Sequence, residues 1–271
     1  MQTLTEIKTL LAARGLAPKK SLGQNFLHDH NLIRRLVSES GVGPGDLVLE
    51  VGPGTGALTV CLLEAGCSVV ACEMDDGLAG LLRDTLGDAI VLVHGDCLES
   101  KRRLNAEVRE VLGGRPFTLV ANLPYQDAGP LMMRLSLDHP ECRGQYVTIQ
   151  REVGQRLRAA PGSKDYGELT VIVQAFHEVR RIATLPPGCF WPQPKVVSEM
   201  VGMPRRGQPL TDDGAALERL CDRLFAQRRK QLGTVLGREI AWPEGVEATQ
   251  RPEELDVARL AVLARVVEGA R

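Results

Sequence analysis

Leu47-Val48-Leu49-Glu50-Val51-Gly52-Pro53-Gly54-Thr55-Gly56-Ala57 reads as a strand that runs into a glycine turn and out into a helix. Glycine turns sharply and puts no Cβ in the way of a ligand, so such a loop lets a bound molecule approach the backbone. The first strand-turn-helix of a doubly wound sheet is where nucleotide-like ligands sit. About 20 residues on, the run 68–73 ends in Glu73, whose carboxylate can accept from both hydroxyls of a ribose. The pair predicts a site for an adenosine-containing cofactor. Gly52-x-Gly54-x-x-Ala57 also satisfies the dinucleotide fingerprint, and a turn without any ligand fits the same glycines, so the loop alone leaves the choice open.

Outward from this stretch, apolar β-branched runs at 47–51, 68–73, 89–94, 117–121, 145–150 and 169–176 alternate with helical patterns such as 57–65, 75–86 and 129–137. Crossovers of that length predict an α/β fold with a parallel sheet covered on both faces. The run 196–203 is expected to finish the sheet. Pro204-Arg205-Arg206-Gly207-Gln208-Pro209 then breaks the pattern, and 212–226, 229–237 and 252–268 read as helix only. In the last of these, Pro252, Glu253 and Glu254 make a helix start, and Leu255, Ala258, Val262, Leu263 and Val266 are expected to share its buried face. Two units are expected, 1–204 and a small helical one at 205–271.

Composition narrows the class. Of 271 residues, 44% are hydrophobic and 25% charged, values of an ordinary globular chain large enough to need no staple. The net charge of −1 excludes a bulk polycation, so any nucleic-acid contact must come from local patches. The seven cysteines form no C-x-x-C pair, which predicts buried reduced thiols and no metal site. No apolar run approaches the roughly 18 residues of a membrane span. The first residues contain Glu6 and lack a long apolar core, which reads against a secretory signal and, more weakly, against a transit peptide. A cytoplasmic protein, monomeric and without a membrane anchor, is the expectation.

Two further strand ends sharpen the chemistry. His94-Gly95-Asp96-Cys97 puts Asp96 at the sheet's carboxyl edge, where it can bond an adenine amino group. Asn122-Leu123-Pro124-Tyr125 closes the next strand at the same edge. An aromatic amine is a poor nucleophile because its lone pair is delocalised into the ring. Acceptors from the Asn122 side chain and the Leu123 carbonyl would favour a tetrahedral nitrogen. Pro124 stiffens the turn, and Tyr125 offers a face for stacking. Orientation in line with a sulfonium methyl would then supply the rate, with no strong base required.

This set resembles the small-subunit ribosomal RNA adenine dimethyltransferases. Lys19-Lys20-Ser21-Leu22-Gly23-Gln24-Asn25-Phe26-Leu27 resembles the family's N-terminal segment that folds over the cofactor. Glu50 to Gly56, Glu73, Gly95-Asp96 and Asn122 to Tyr125 follow in family order. Tyr166-Gly167-Glu168-Leu169-Thr170-Val171, Phe190-Trp191-Pro192-Gln193-Pro194-Lys195-Val196 and Phe225-Ala226-Gln227-Arg228-Arg229-Lys230 extend the likeness over most of the chain. The resemblance implies a doubly wound, mostly parallel, seven-stranded Rossmann-like methyltransferase fold with a small C-terminal helical domain that binds RNA. It implies S-adenosylmethionine as cofactor, held by Gln24, Asn25, Leu27, Gly52, Gly54, Glu73, Asp96 and Asn122. It also implies a catalytic set of Asn122, Leu123, Pro124, Tyr125 and Phe190, with Tyr125 and Phe190 bracketing a flipped adenine. The implied partner is small-subunit ribosomal RNA within a pre-ribosomal small subunit, and the implied role lies in ribosome biogenesis. Two positions depart from the pattern: Gln126-Asp127-Ala128 replaces an Asn-Ile-small-hydroxyl continuation, and Gln231 follows the basic run.

Basic residues cluster although their sum is near zero. Lys19, Lys20, Arg228, Arg229 and Lys230 are the expected RNA contacts, with further clusters at Lys101-Arg102-Arg103, Arg156 with Arg158, Arg180-Arg181 and Arg205-Arg206. A carboxylate at Asp127 is expected to weaken RNA engagement. Three other functions compete: an NAD-dependent oxidoreductase on the same loop, a ribosome-assembly binding factor with weak or lost catalysis, and a methyltransferase acting on large-subunit RNA.

Overall fold

The computed structural model describes residues 2–100 and 103–269; Lys101 and Arg102 of one basic cluster lie outside the described residues. Seven strands form the central sheet: β1 (Leu47–Val51), β2 (Ser68–Glu73), β3 (Ile90–His94), β4 (Phe117–Asn122), β5 (Cys142–Gln150), β6 (Arg180–Leu185) and β7 (Ser198–Pro204). Their order is β3-β2-β1-β4-β5-β7-β6. The pairs from β3 through β5 are parallel, and β7 runs antiparallel to both β5 and β6. The order reverses between β1 and β4, so a crevice opens beyond their carboxyl ends. That reversal places the site.

All five residues of β1 are buried, as a strand covered on both faces demands. Leu47, Leu49 and Val51 pack on one side with α5 (Ala106–Leu112) and α6 (Ala128–Asp138), through Val108, Leu112, Leu131 and Leu135. Val48 faces the other side, where Ile33 and Leu36 of α2 (His30–Ser40) and Leu58 and Leu62 of α3 (Ala57–Glu64) meet Val69 and Val120. A satellite cluster holds the N-terminal arm: Ile7 and Leu11 of α1 (Leu4–Ala12) pack with Phe26 and with Leu78 and Leu81 of α4 (Asp76–Leu86). Phe26–Leu27 also pairs antiparallel with Phe190–Trp191, which ties the arm to the segment before β7.

The sheet has the expected seven strands, six of them from the expected runs and one from elsewhere. Residues 169–176 are not a strand; they lie in α8 (Glu168–Phe176). Val173 of this helix joins the sheet core, whereas Val171, Ile172, Ala175 and Phe176 join the core of the C-terminal helices. A helix buried on nearly every side shows no polar face, and its short apolar run then looks like a strand. The seventh place belongs to β6, which its two leading arginines disguised as a charged surface segment; β6 is an edge strand, where charge is tolerated.

Beyond β7 the described regular elements are helical: α9 (Gly214–Phe225), α10 (Leu232–Leu236) and α11 (Val257–Gly269), with α9 and α11 packed on α8, which follows α7 (Arg151–Leu157). Pro252–Glu254 is a separate 3-10 turn and Leu255 is extended, so α11 starts later than expected and its buried face shifts to Val257, Leu260, Ala261, Leu263 and Ala264. Leu255 and Leu263 stay buried, while Val262 is 47% exposed. Arg134 of α6, only 4% exposed, pairs with Asp138 at 3.1 Å and with Glu218 of α9, which braces the helical end against the sheet layer. All seven cysteines are buried. Among the described residues no helix is long and apolar enough to cross a membrane, and no group of three or more His, Cys, Asp or Glu side chains is placed to hold a metal ion.

Candidate active site

The glycine loop leaves β1 with Gly52, Gly54 and Gly56 at φ of 69°, 62° and 84°. These left-handed values suit glycine and strain any other residue. The Gly52 amide donates to the Cys72 carbonyl at 2.9 Å, which locks the turn against β2. Space is equally restrictive: a Cβ at Gly54 would stand 2.9 Å from the Phe26 ring, and one at Gly52 would stand 3.2 Å from Pro124. The loop is thus wedged between the N-terminal arm and the Asn122–Tyr125 turn.

A cleft runs along this loop and encloses about 1130 Å³, counting the part open to solvent. Its lining includes Gln24, Asn25, Leu27, Gly52, Gly54, Glu73, Asp96 and Asn122, together with Leu123, Pro124 and Tyr125. The fold therefore brings together every residue expected at the cofactor, and the whole turn. Asp75, beside the cleft, adds a contact that the motifs do not announce. It caps α4 by accepting from the Leu78 amide at 3.1 Å, and it also holds Lys19 at 2.7 Å and the Gln24 side chain at 3.2 Å. Burial opposes ionisation of Asp75, yet the bonds from Lys19, Leu78 and Gln24 keep its carboxyl below the usual range. An aspartate just before a helical run is a legible capping signal; its second use in anchoring the arm is not.

Glu73 is 6% exposed at the end of β2. Its carboxylate accepts from the Gly54 amide at 3.1 Å and the Asp75 amide at 2.8 Å, which aims it across the cleft. Burial raises its pKa, and the amides partly offset this. Asp96 accepts from the Leu98 amide at 2.9 Å through Oδ1. Asn122 donates from its amide nitrogen to the Asn25 carbonyl at 2.9 Å, which leaves its oxygen as the acceptor it can turn toward a substrate. Tyr125 bonds Ser198 through its hydroxyl at 2.9 Å, and burial raises its pKa. Ser198, at the head of β7, is another partner that nothing in the local sequence announced.

Two expected assignments change. Phe190 does not line the cleft: its side chain is 1% exposed and packs in the core with Leu27, Val120 and Tyr146. Its pairing with Leu27 holds it there, so in this conformation it braces the arm instead of stacking on a base. Arg228 is not an open cation. It donates to the carbonyls of Lys164 at 2.6 Å and Ser163 at 2.8 Å and lies 3.4 Å from Glu253, so it clamps the 163–164 loop to the C-terminal helices. Lys19 is paired with Asp75, whereas Lys20, Arg229 and Lys230 are exposed. Arg228→Glu is accordingly expected to lower the melting temperature by several degrees. Arg229→Glu with Lys230→Glu should spare stability and weaken binding to small subunits, with a shallower salt dependence. Equal melting temperatures for Arg228→Glu and the parent in thermal scans would contradict the clamp.

Four carboxyl groups line the cleft (Glu50, Glu73, Asp96 and Asp127), and among the described residues no Lys, Arg or His lines it. Glu50 is held neutral near pH 7 without a ligand, and the other three oppose a pyrophosphate and suit a ligand bearing a sulfonium and an ammonium against a single carboxylate. Glu50 fits the same ligand: it is 1% exposed, and its Oε2 has no hydrogen-bond partner. Burial pushes the Glu50 carboxyl from 4.5 up to about 8, with Glu73 adding to the shift and Thr59 opposing it. The folded acid is then neutral where the unfolded one is ionised. Its stability contribution is complete below pH 4.5 and lost as pH rises toward 8. Glu50→Gln keeps the neutral shape, so its melting temperature should gain on the ligand-free parent by about 5 °C or more between pH 5 and pH 8. A pH-independent difference in melting scans would contradict this.

Comparison with known proteins gives the family. A family model described as ribosomal RNA adenine dimethylase matches residues 15–261. A protein of Streptomyces coelicolor named ribosomal RNA small subunit methyltransferase A is 42% identical over 240 residues, covering 85% of this chain and 81% of its own. Among solved structures, a dimethyladenosine transferase from Plasmodium falciparum superposes with a TM-score of 0.71 at 20% identity, covering 90% of this chain and 98% of the other, which supports the fold. The 23S rRNA methyltransferase ErmE gives a TM-score of 0.65 at 25% identity, over 90% of this chain and all of the other. With the family model spanning nearly the whole chain and a relative 42% identical over most of it, the protein belongs to the ribosomal RNA adenine dimethylase family and is an S-adenosylmethionine-dependent enzyme that dimethylates adenine N6 in ribosomal RNA.

Proposed function

We propose that this chain adds both methyl groups to N6 of adenines near the 3′ end of small-subunit ribosomal RNA, acting as a cytoplasmic monomer on a pre-ribosomal small subunit. The observation that carries the reading is the acid-lined cleft with the Asn122–Tyr125 turn in its wall. The 42% identical relative is named for the small subunit, which favours that RNA over the large-subunit alternative. The absence of any basic side chain among the described lining residues counts against the dinucleotide reading.

On this reading Glu73 takes the ribose hydroxyls, Asp96 the purine amine and the Gly52–Gly56 loop the amino-acid end, with Asn25 and Leu27 covering them from the arm. S-adenosylmethionine, when bound there, supplies an electrophilic methyl group on sulfur. The chain's own task is to prepare the amine. The Asn122 oxygen and the Leu123 carbonyl accept from its two protons in the first transfer, and one of them accepts from the remaining proton in the second, favouring a pyramidal nitrogen with its lone pair exposed. Pro124 restricts the turn, and Tyr125, held by Ser198, presents a ring edge or face to the flipped base. Arm and turn close together because Asn122 bonds Asn25, which keeps water from the reacting atoms. The exposed Lys20, Arg229 and Lys230 would steer phosphates, and 205–271 would serve as the RNA-facing helical domain.

Purified protein, S-adenosylmethionine and undermodified small subunits test this directly. Mass analysis of the digested RNA should show N6,N6-dimethyladenosine. Methylation of a large-subunit RNA instead, or no methylated adenosine at all, would overturn the assignment.

A further inference from the structure

The Tyr125 side chain is tied to a strand two places away in the sheet. Its hydroxyl and that of Ser198 lie 2.9 Å apart and share a hydrogen bond. Tyr125 follows the end of β4, Ser198 opens β7, and β5 runs between those strands, so the bond reaches across the carboxyl end of β5. Ser198 is a fixed reference point. It is fully buried and in register with Gln150 on one side and Leu185 on the other. The Val197 carbonyl before it accepts from the Arg151 amide at 3.0 Å. Glu199 after it is 1% exposed and pairs with Arg158, just past α7, at 2.7 Å. Gly154 leaves room for that carboxylate, since a Cβ there would stand 2.5 Å from Glu199 Oε2. Tyr125, in contrast, stands half-buried in a turn and lines the cleft, and a ring on two side-chain torsions tilts unless its far end is held.

The two methyl transfers make unequal demands on that ring. An unmethylated amine offers two N–H groups, which the Asn122 oxygen and the Leu123 carbonyl can both hold. After the first transfer one N–H remains, so hydrogen bonding alone no longer fixes how the base is turned, and the stacking face carries more of the orientation. On the reading of this turn as the site that dimethylates an adenine, we propose that Ser198 is a positioning residue that secures the second methyl transfer by fixing the Tyr125 ring.

Timed reactions of the full chain with S-adenosylmethionine and undermodified small subunits test this, with N6-methyladenosine and N6,N6-dimethyladenosine quantified in the digested RNA. Ser198→Ala should slow the second transfer about tenfold and the first by less than about threefold, so that N6-methyladenosine accumulates relative to the parent. Tyr125→Phe keeps the ring, removes its end of the bond and should do the same. The double variant should be no slower than either single one, because both remove the same contact. Equal slowing of the two transfers, an unchanged product ratio, or losses that multiply in the double variant would overturn the proposal. If Ser198→Ala fails to fold in a thermal scan, Tyr125→Phe decides by the same product ratio. A parent that forms no N6,N6-dimethyladenosine would overturn instead the reading of the site on which the proposal rests.

Discussion

Asn122→Ala is expected to lower methyl transfer by about 10²–10³-fold or more while the protein still folds and still binds S-adenosylmethionine within a few-fold of the parent. Removing one preorganised polar group aimed at the reacting atoms typically costs that much in rate. Here the loss is double. The alanine removes the acceptor for the target amine, and it also removes the bond to the Asn25 carbonyl at 2.9 Å that holds the arm against the turn. Stability should survive because Asn122 is only half-buried at the end of β4, whereas Val120 and Ala121 behind it carry the packing. Single-turnover methylation of undermodified subunits beside a binding titration separates the two effects. Transfer at the parent rate would remove Asn122 from the chemistry.

The second large effect concerns the loop. Gly54→Ala should weaken cofactor binding by more than about tenfold and destabilise the chain by about 2 kcal/mol. A side chain at φ of 62° is strained, and its Cβ would meet the Phe26 ring at 2.9 Å. Phe26 cannot swing aside cheaply, because it stacks on Trp191 with centroids 6.3 Å apart and belongs to the cluster that anchors the arm. Gly54→Ala combined with Phe26→Ala should recover the clash but not the backbone strain, so the two substitutions should be non-additive in a double-mutant cycle. Strict additivity in denaturant melts would show that arm and loop do not touch as described.

How much of this was legible in the sequence follows from where each signal resides. The glycine loop, Glu73, Asp96 and Asn122 to Tyr125 sit at strand ends, and the spacing of strand and helix patterns alone delivers them to one rim of the sheet. Local patterns misled where burial came from elsewhere in the chain. Residues 169–176 look like a strand because the helix they form is covered by the sheet layer on one side and by α9 and α11 on the other. Arg180 and Arg181 concealed an edge strand. Phe190 and Arg228 were read for their chemistry, yet each is consumed by a long-range partner, Leu27 in one case and the 163–164 loop in the other. Such partners lie tens of residues away, and no local pattern announces them.

A methyl donor is expected to lie along the rim between β1 and β4, and a crystal of the protein grown with S-adenosylhomocysteine tests this most directly. The prediction is ribose hydroxyls on Glu73, the purine beside Asp96, and the sulfur facing the Asn122–Tyr125 turn. A ligand found elsewhere, or bound with its sulfur turned away from that bend, would contradict it.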